Sequence, residues 1–134
     1  MFAKLIGTFL TIVIFSYAAA TNGDLEFKPI KKVFNKKEDI CFVLENKSDV
    51  NVFLPSSAPW AVFEDRDFEK IIYSPVATQS IVELKPSQKK KWCWKQKDFN
   101  KEQVPSGEYT IRLTVFKNGK RLFLTSTVKI NNSQ

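Results

Sequence analysis

The chain has 134 residues, 21 Lys and Arg against 14 Asp and Glu, a formal net charge of +7, and no histidine. That length suits one domain with a single core, and the lack of histidine removes the commonest general base and the commonest transition-metal ligand. Serine-histidine and cysteine-histidine catalysis are excluded, and two cysteines and four glycines without a zinc pattern, phosphate loop or dinucleotide fingerprint lead us to expect no metal and no cofactor.

Met1 to Lys4 carry one positive charge, Leu5 to Phe15 form an apolar run broken by Gly7, Thr8 and Thr11, and Ala18-Ala19-Ala20 supplies small residues at a cleavage site. This is the pattern of a signal peptide over residues 1 to 20. The run falls short of the ~20 apolar residues a membrane span needs, and polar Thr21-Asn22-Gly23-Asp24 follows it. An uncleaved anchor is the alternative. Cleavage after Ala20 leaves residues 21 to 134 as the folded domain and removes Lys4, which lowers the charge from +7 to +6. The expected destination is periplasmic or extracellular. Export argues against nucleic acid as a ligand, and the lack of a cysteine after the apolar run argues against a lipid anchor.

Leu25 to Ile30 begins a first strand, expected to continue to Phe34, and Pro29 within it suggests a sheet edge because proline has no amide hydrogen. Ile40 to Asn46 reads as a central strand, apolar on both faces, between the polar turns Asn35 to Asp39 and Asn46 to Asp49. Val50 to Leu54 is next, broken by Pro55-Ser56-Ser57-Ala58-Pro59. Trp60 to Asp65 resumes the extended pattern, and the charged connection Asp65 to Lys70 leads to Ile71-Ile72-Tyr73. Ser80 to Leu84 and Lys89 to Lys97 are two further strands, and Asp98 to Ser106 is a polar loop.

The strongest pattern is last. Tyr109, Ile111, Leu113 and Val115 share one face while Thr110, Arg112 and Thr114 share the other, the period of two of a half-buried strand. Leu122, Leu124, Val128 and Ile130 repeat it, and Asn118-Gly119 between the arms supplies the positive φ angles of a tight hairpin turn. Eight or nine short strands with frequent turn signals and no helical stripe predict an all-β, immunoglobulin-like antiparallel sandwich. Tyr109, just after Gly107, is either a core aromatic or a corner tyrosine whose hydroxyl bonds back to the preceding loop.

Cys41 and Cys93 both lie in strands and both alternate with large apolar neighbours, so a cross-strand disulfide on one sheet face and two buried or half-buried free thiols remain open. The acidic stretch Glu64 to Glu69 lacks the glycine and ligand spacing of a calcium loop and reads as a solvated turn. Lys89 to Lys97 interleaves five lysines with Trp92 and Trp94. Alternation puts both tryptophans on one face, which favours two core anchors in a charge-protected strand over a basic aromatic surface for a glycan or polyanion.

The succession Glu45-Asn46-Lys47-Ser48, Val50 to Phe53, Trp60 to Asp65, Ile72-Tyr73-Ser74, Leu84-Lys85-Pro86, Trp92 to Asp98 and Val104-Pro105-Ser106-Gly107-Glu108-Tyr109-Thr110-Ile111 resembles the BsuPI family, named for an intracellular proteinase inhibitor. The resemblance covers roughly residues 25 to 130. It implies an immunoglobulin-like sandwich that binds proteins without enzymatic activity, whereas the signal peptide departs from the intracellular name. The expected partner is therefore a protein, either a proteinase or an envelope component. The candidate contacts are the loop Pro55, Ser56, Ser57, Ala58 and Pro59, and the loop Asp98 to Ser106. A structural or adhesive envelope module and a glycan- or polyanion-binding module are the alternative roles.

Overall fold

A computed structural model describes residues 21–22 and 24–132; the expected signal peptide lies outside the described residues. Among the described residues, eleven strands make up two sheets. The first contains β1 (Thr21–Asn22), β2 (Leu25–Pro29), β4 (Ile40–Asn46) and β9 (Lys89–Trp94), paired in that order and antiparallel throughout. The second is built on the hairpin of β10 (Gly107–Lys117) and β11 (Lys120–Asn131), registered from Gly107↔Ile130 to Lys117↔Lys120. Asn118 and Gly119 take φ values of 54° and 77°, as the hairpin turn requires.

Period-two patterning makes these strands one-sided, and burial of the apolar side stacks the two sheets as a β-sandwich. Leu25, Phe27, Ile40, Phe42, Leu44, Trp92 and Trp94 of the first sheet share one core with Val52, Leu54, Trp60, Val62, Ile111, Leu113, Val115 and Leu124 of the second. Phe42 meets Trp60 edge to face across the layers at 5.0 Å, and Trp94 meets Tyr109 at 5.5 Å. The Ser126 hydroxyl donates to the Phe27 carbonyl, 2.8 Å away, and so joins β11 to the rim of β2.

The first strand does not run on to Phe34. It ends at Pro29, and β3 (Val33–Asn35) joins the opposite sheet, parallel to β11. Pro29 cannot donate to the ladder, Ile30 turns outward, and the change of sheet lets Phe27 and Phe34 both reach the core. The strand expected to reach Lys97 stops at Trp94, because Gln96 takes a positive φ of 61° and starts a turn.

Opposite β11, the long strand β10 is flanked by two short ones in line. β5 (Val52–Leu54) pairs with its C-terminal end and β6 (Trp60–Glu64) with Tyr109 to Leu113. Outside them, β8 (Val82–Leu84) pairs with β5, and β7 (Ile71–Tyr73) pairs with β6. Two adjacent strands are thus interrupted at the same level, by residues 55–59 and 74–81. The Thr114 amide bridges the gap by donating to the Pro59 carbonyl at 3.0 Å.

Candidate functional site

The Pro55 to Pro59 loop is the inner of these two interruptions, and it does not project freely beyond the sheets. All five residues are half-buried, because the loop lies between the core and the outer segment 74–81. Ser57 is its anchor. The Ser57 amide donates to the Thr78 carbonyl at 3.3 Å, the Thr78 amide donates to Ser57 Oγ at 3.2 Å, and the Trp92 indole donates to the Ser57 carbonyl at 2.9 Å. Ser56 Oγ accepts the Ala58 amide, and Ala58 packs against the core. The loop is therefore rigid by construction, with Ser56 the member whose side chain bonds only within it.

The outer segment is the more accessible. Val76 is fully exposed and Ile81 is 73% exposed, and with Ile71 they place three apolar side chains along a sheet rim where water would normally select polar ones. Tyr73 ties this rim to the second candidate loop. It lies 6.0 Å from the Trp60 ring and 5.8 Å from that of Phe99, whose own side chain is half exposed. The Asp98 to Ser106 loop is itself ordered, since Asp98 Oδ1 accepts the amides of Asn100 and Glu102 at 2.8 and 3.0 Å. Both loops singled out in the sequence converge on one side of the sandwich through Trp60, Tyr73 and Phe99.

The anchors expected from alternation occupy the core. Trp92 and Trp94 are 8% and 1% exposed, and the Trp94 indole donates to the Lys97 carbonyl at 3.0 Å. The Tyr109 hydroxyl donates to the Pro105 carbonyl at 2.6 Å, which is the corner arrangement. Burial, helped by the Glu64 charge, pushes its pKa up to about 12. Cys41 and Cys93 face each other across β4 and β9 and are bonded. Cys93 is exposed, so the bridge lies on the outer face of the first sheet.

No family model matches the chain, and no curated protein matches it. Similar solved structures include the alkylpurine DNA glycosylase AlkC of Pseudomonas fluorescens bound to DNA with an abasic-site analogue, at 13% identity and a TM-score of 0.45, covering 90% of this chain and 33% of that one. The E. coli chaperone DraB matches at 17% identity and a TM-score of 0.47, covering 79% and 52%. The ASH/PapD-like domain of human CEP192 matches at 13% identity and a TM-score of 0.35, covering 100% and 98%. The chain spans about a third of the glycosylase and about half of the chaperone.

The acidic connection is a closed turn. Asp67 Oδ1 accepts the Glu69 amide at 3.0 Å, and among the described residues no group of three or more Asp, Glu or Cys side chains could hold a metal ion. Two buried amides were not singled out from the sequence. Asn46 Nδ2 donates to the carbonyls of Val50 and Leu84, while Gln96 Nε2 donates to those of Asn35 and Glu38 and Gln96 Oε1 accepts from Gln103. They fix the turns that flank β4 and β9. Their signal, a polar amide at a strand end, is shared with ordinary solvated turns.

Proposed function

We propose that this chain is an exported, non-enzymatic protein-binding domain of the BsuPI-like, immunoglobulin-like type, which captures a proteinase at the rim formed by residues 55–59 and 74–81. The observation that carries this reading is the Ser57 anchor. It holds a proline-bracketed loop rigid directly behind an apolar outer segment, so little conformational freedom is left to lose on docking. Val76, Ile81 and Ile71 supply apolar contact, and an outer strand supplies backbone donors and acceptors to an extended partner segment. The Cys41–Cys93 bridge is compatible with export.

The test is stoichiometric inhibition across a panel of purified serine, cysteine and metalloproteinases. Inhibition of one class that is lost in Val76→Asp with Ile81→Asp, with the folding transition unchanged, supports the reading. Ser56→Glu probes the inner loop without disturbing the core, whereas charges at Ser57 or Ala58 would disrupt the anchor itself. Inhibition of no class, or inhibition indifferent to these changes, overturns it.

A further inference from the structure

Three lysine-bearing segments meet at one end of the first sheet. The turn of residues 35–39 brings Lys37 and Asp39, the chain leaving β9 brings Lys95 and Lys97, the Asp98 to Ser106 loop brings Lys101 and Gln103, and together they line a cleft of about 490 Å³. Gln96 is the joint between the segments. Its side chain is fully buried, donates from Nε2 to the carbonyls of Asn35 and Glu38 at 2.8 and 2.9 Å, and accepts at Oε1 from Gln103 at 2.9 Å. An antiparallel bridge also pairs Lys97 with Gln103. Buried hydrogen bonds therefore hold the walls, and the four lysines they carry are exposed.

The charge of this cleft is one-sided. Among the described residues Asp39 is the one carboxylate in the lining, and it is paired with Lys95 at 3.2 Å. Of the carboxylates nearby in the chain, Glu38 is taken up by Lys31 and the Asn35 amide, Asp98 Oδ1 accepts the amides of Asn100 and Glu102, and the exposed Glu102 stands outside the lining. Among the described residues Lys37, Lys97 and Lys101 have no carboxylate within ion-pair distance. Lys37 and Lys101 also hold φ values of 73° and 66°, in the left-handed region that turns usually give to glycine or asparagine. The fold thus spends backbone strain to set lysines around a cleft where their charges repel one another until an anion enters.

We propose that this cleft binds linked phosphates, the repeating tetrahedral oxyanions of a polyphosphate or phosphodiester chain. Lysine acts as a point charge without the planar fork of arginine, which suits a tetrahedral oxyanion better than a planar carboxylate. One phosphate carries about two negative charges at neutral pH, fewer than the three lysines left without an ion pair, so two or more in one molecule match the cleft. No aromatic side chain is in the lining, since Trp94 is turned into the core and Phe99 meets Tyr73, and nucleobases would lack a stacking platform there. The 55–59 and 74–81 segments supply none of the lining. The site therefore goes beyond proteinase capture and does not depend on it, although the Asp98 to Ser106 loop borders both.

The full sequence is expressed with its export route intact, and binding of tripolyphosphate to the purified product is followed by titration calorimetry and by the thermal midpoint at fixed ionic strength. Affinity about tenfold or more above that for inorganic phosphate is expected, with a raised midpoint and a steep fall with salt. Lys37→Asn with Lys101→Asn should weaken binding about tenfold or more and flatten the salt dependence. The midpoint without ligand should stay level or rise, because asparagine accepts the left-handed turn more readily than lysine. Lys89→Gln with Lys91→Gln removes the same charge from the same sheet outside the cleft, and should change the affinity little. A poly(glycerol phosphate) chain separates the two sources: tighter binding of that polymer assigns the phosphodiester, and tighter binding of tripolyphosphate assigns the polyphosphate. Binding only to vesicles of phosphatidylglycerol and phosphatidylcholine, no saturable binding of either phosphate chain, or equal losses in the two double variants overturns the proposal.

Discussion

The Tyr109 hydroxyl donates to Pro105 from a buried position near the Glu64 carboxylate, and both surroundings oppose its ionisation. Its pKa is raised from an ordinary 10.0 to about 12. The protonated native state is therefore favoured, so this stabilisation is complete below pH 10 and is lost as the pH rises from 10 towards 12. Tyr109→Phe should cost about 1 kcal/mol at neutral pH, the usual net worth of such a bond. Denaturant midpoints measured through the alkaline range should fall less steeply for the variant than for the parent; parallel curves would contradict this. Trp92→Ala should cost about 3 to 5 kcal/mol, as deletion of a large core aromatic does, since it also leaves the Ser57 carbonyl without its indole donor. A denaturant midpoint that hardly moved would put Trp92 outside the core. The inward direction of Trp92, Trp94 and Tyr109 was legible from alternation. The burial of Asn46 and Gln96 was not, because their partners include carbonyls 38 residues away at Leu84 and 61 away at Asn35.

At the scale of elements, the disulfide joins directly paired residues of β4 and β9 and closes a stretch with a sequence separation of 52. The chain-entropy account gives such a closure about 4 kcal/mol. Because Cys93 is exposed, a mild reductant should reach the bridge in the native protein and lower the thermal midpoint without abolishing the transition. A midpoint unchanged after complete alkylation of both thiols would show that the ladder alone holds the two strands. Most strands were legible, since each buries one face and the alternation records it. The paired interruptions at 55–59 and 74–81 were not. In the sequence, Pro55 and Pro59 mark a connection between strands, and only the eleven-residue length of β10 lets β5 and β6 share one neighbour. The passage from β2 to β3 was missed for a related reason, as Val33 and Phe34 continue an extended pattern while changing sheets.

Taken whole, the molecule is two sheets around one core, and that much followed from strand spacing, hairpin chemistry and the lack of a helical stripe. Where exposed apolar side chains would line the rim did not follow, because Val76 and Ile81 look like core residues until the segment between β7 and β8 proves to run outside the sheet pairing. The span of the disulfide bears on what a proteinase could do here. The Pro55 to Pro59 loop, the acidic turn and the 74–81 rim all lie between Cys41 and Cys93 in the chain. One cut anywhere among them divides the backbone without separating the products, since the bridge and the shared core hold both pieces in register. A nicked molecule should therefore migrate as one band on a denaturing gel without reductant and as two with it, and should keep whatever inhibition the intact chain shows. A proteinase that clips this protein would gain no release by doing so.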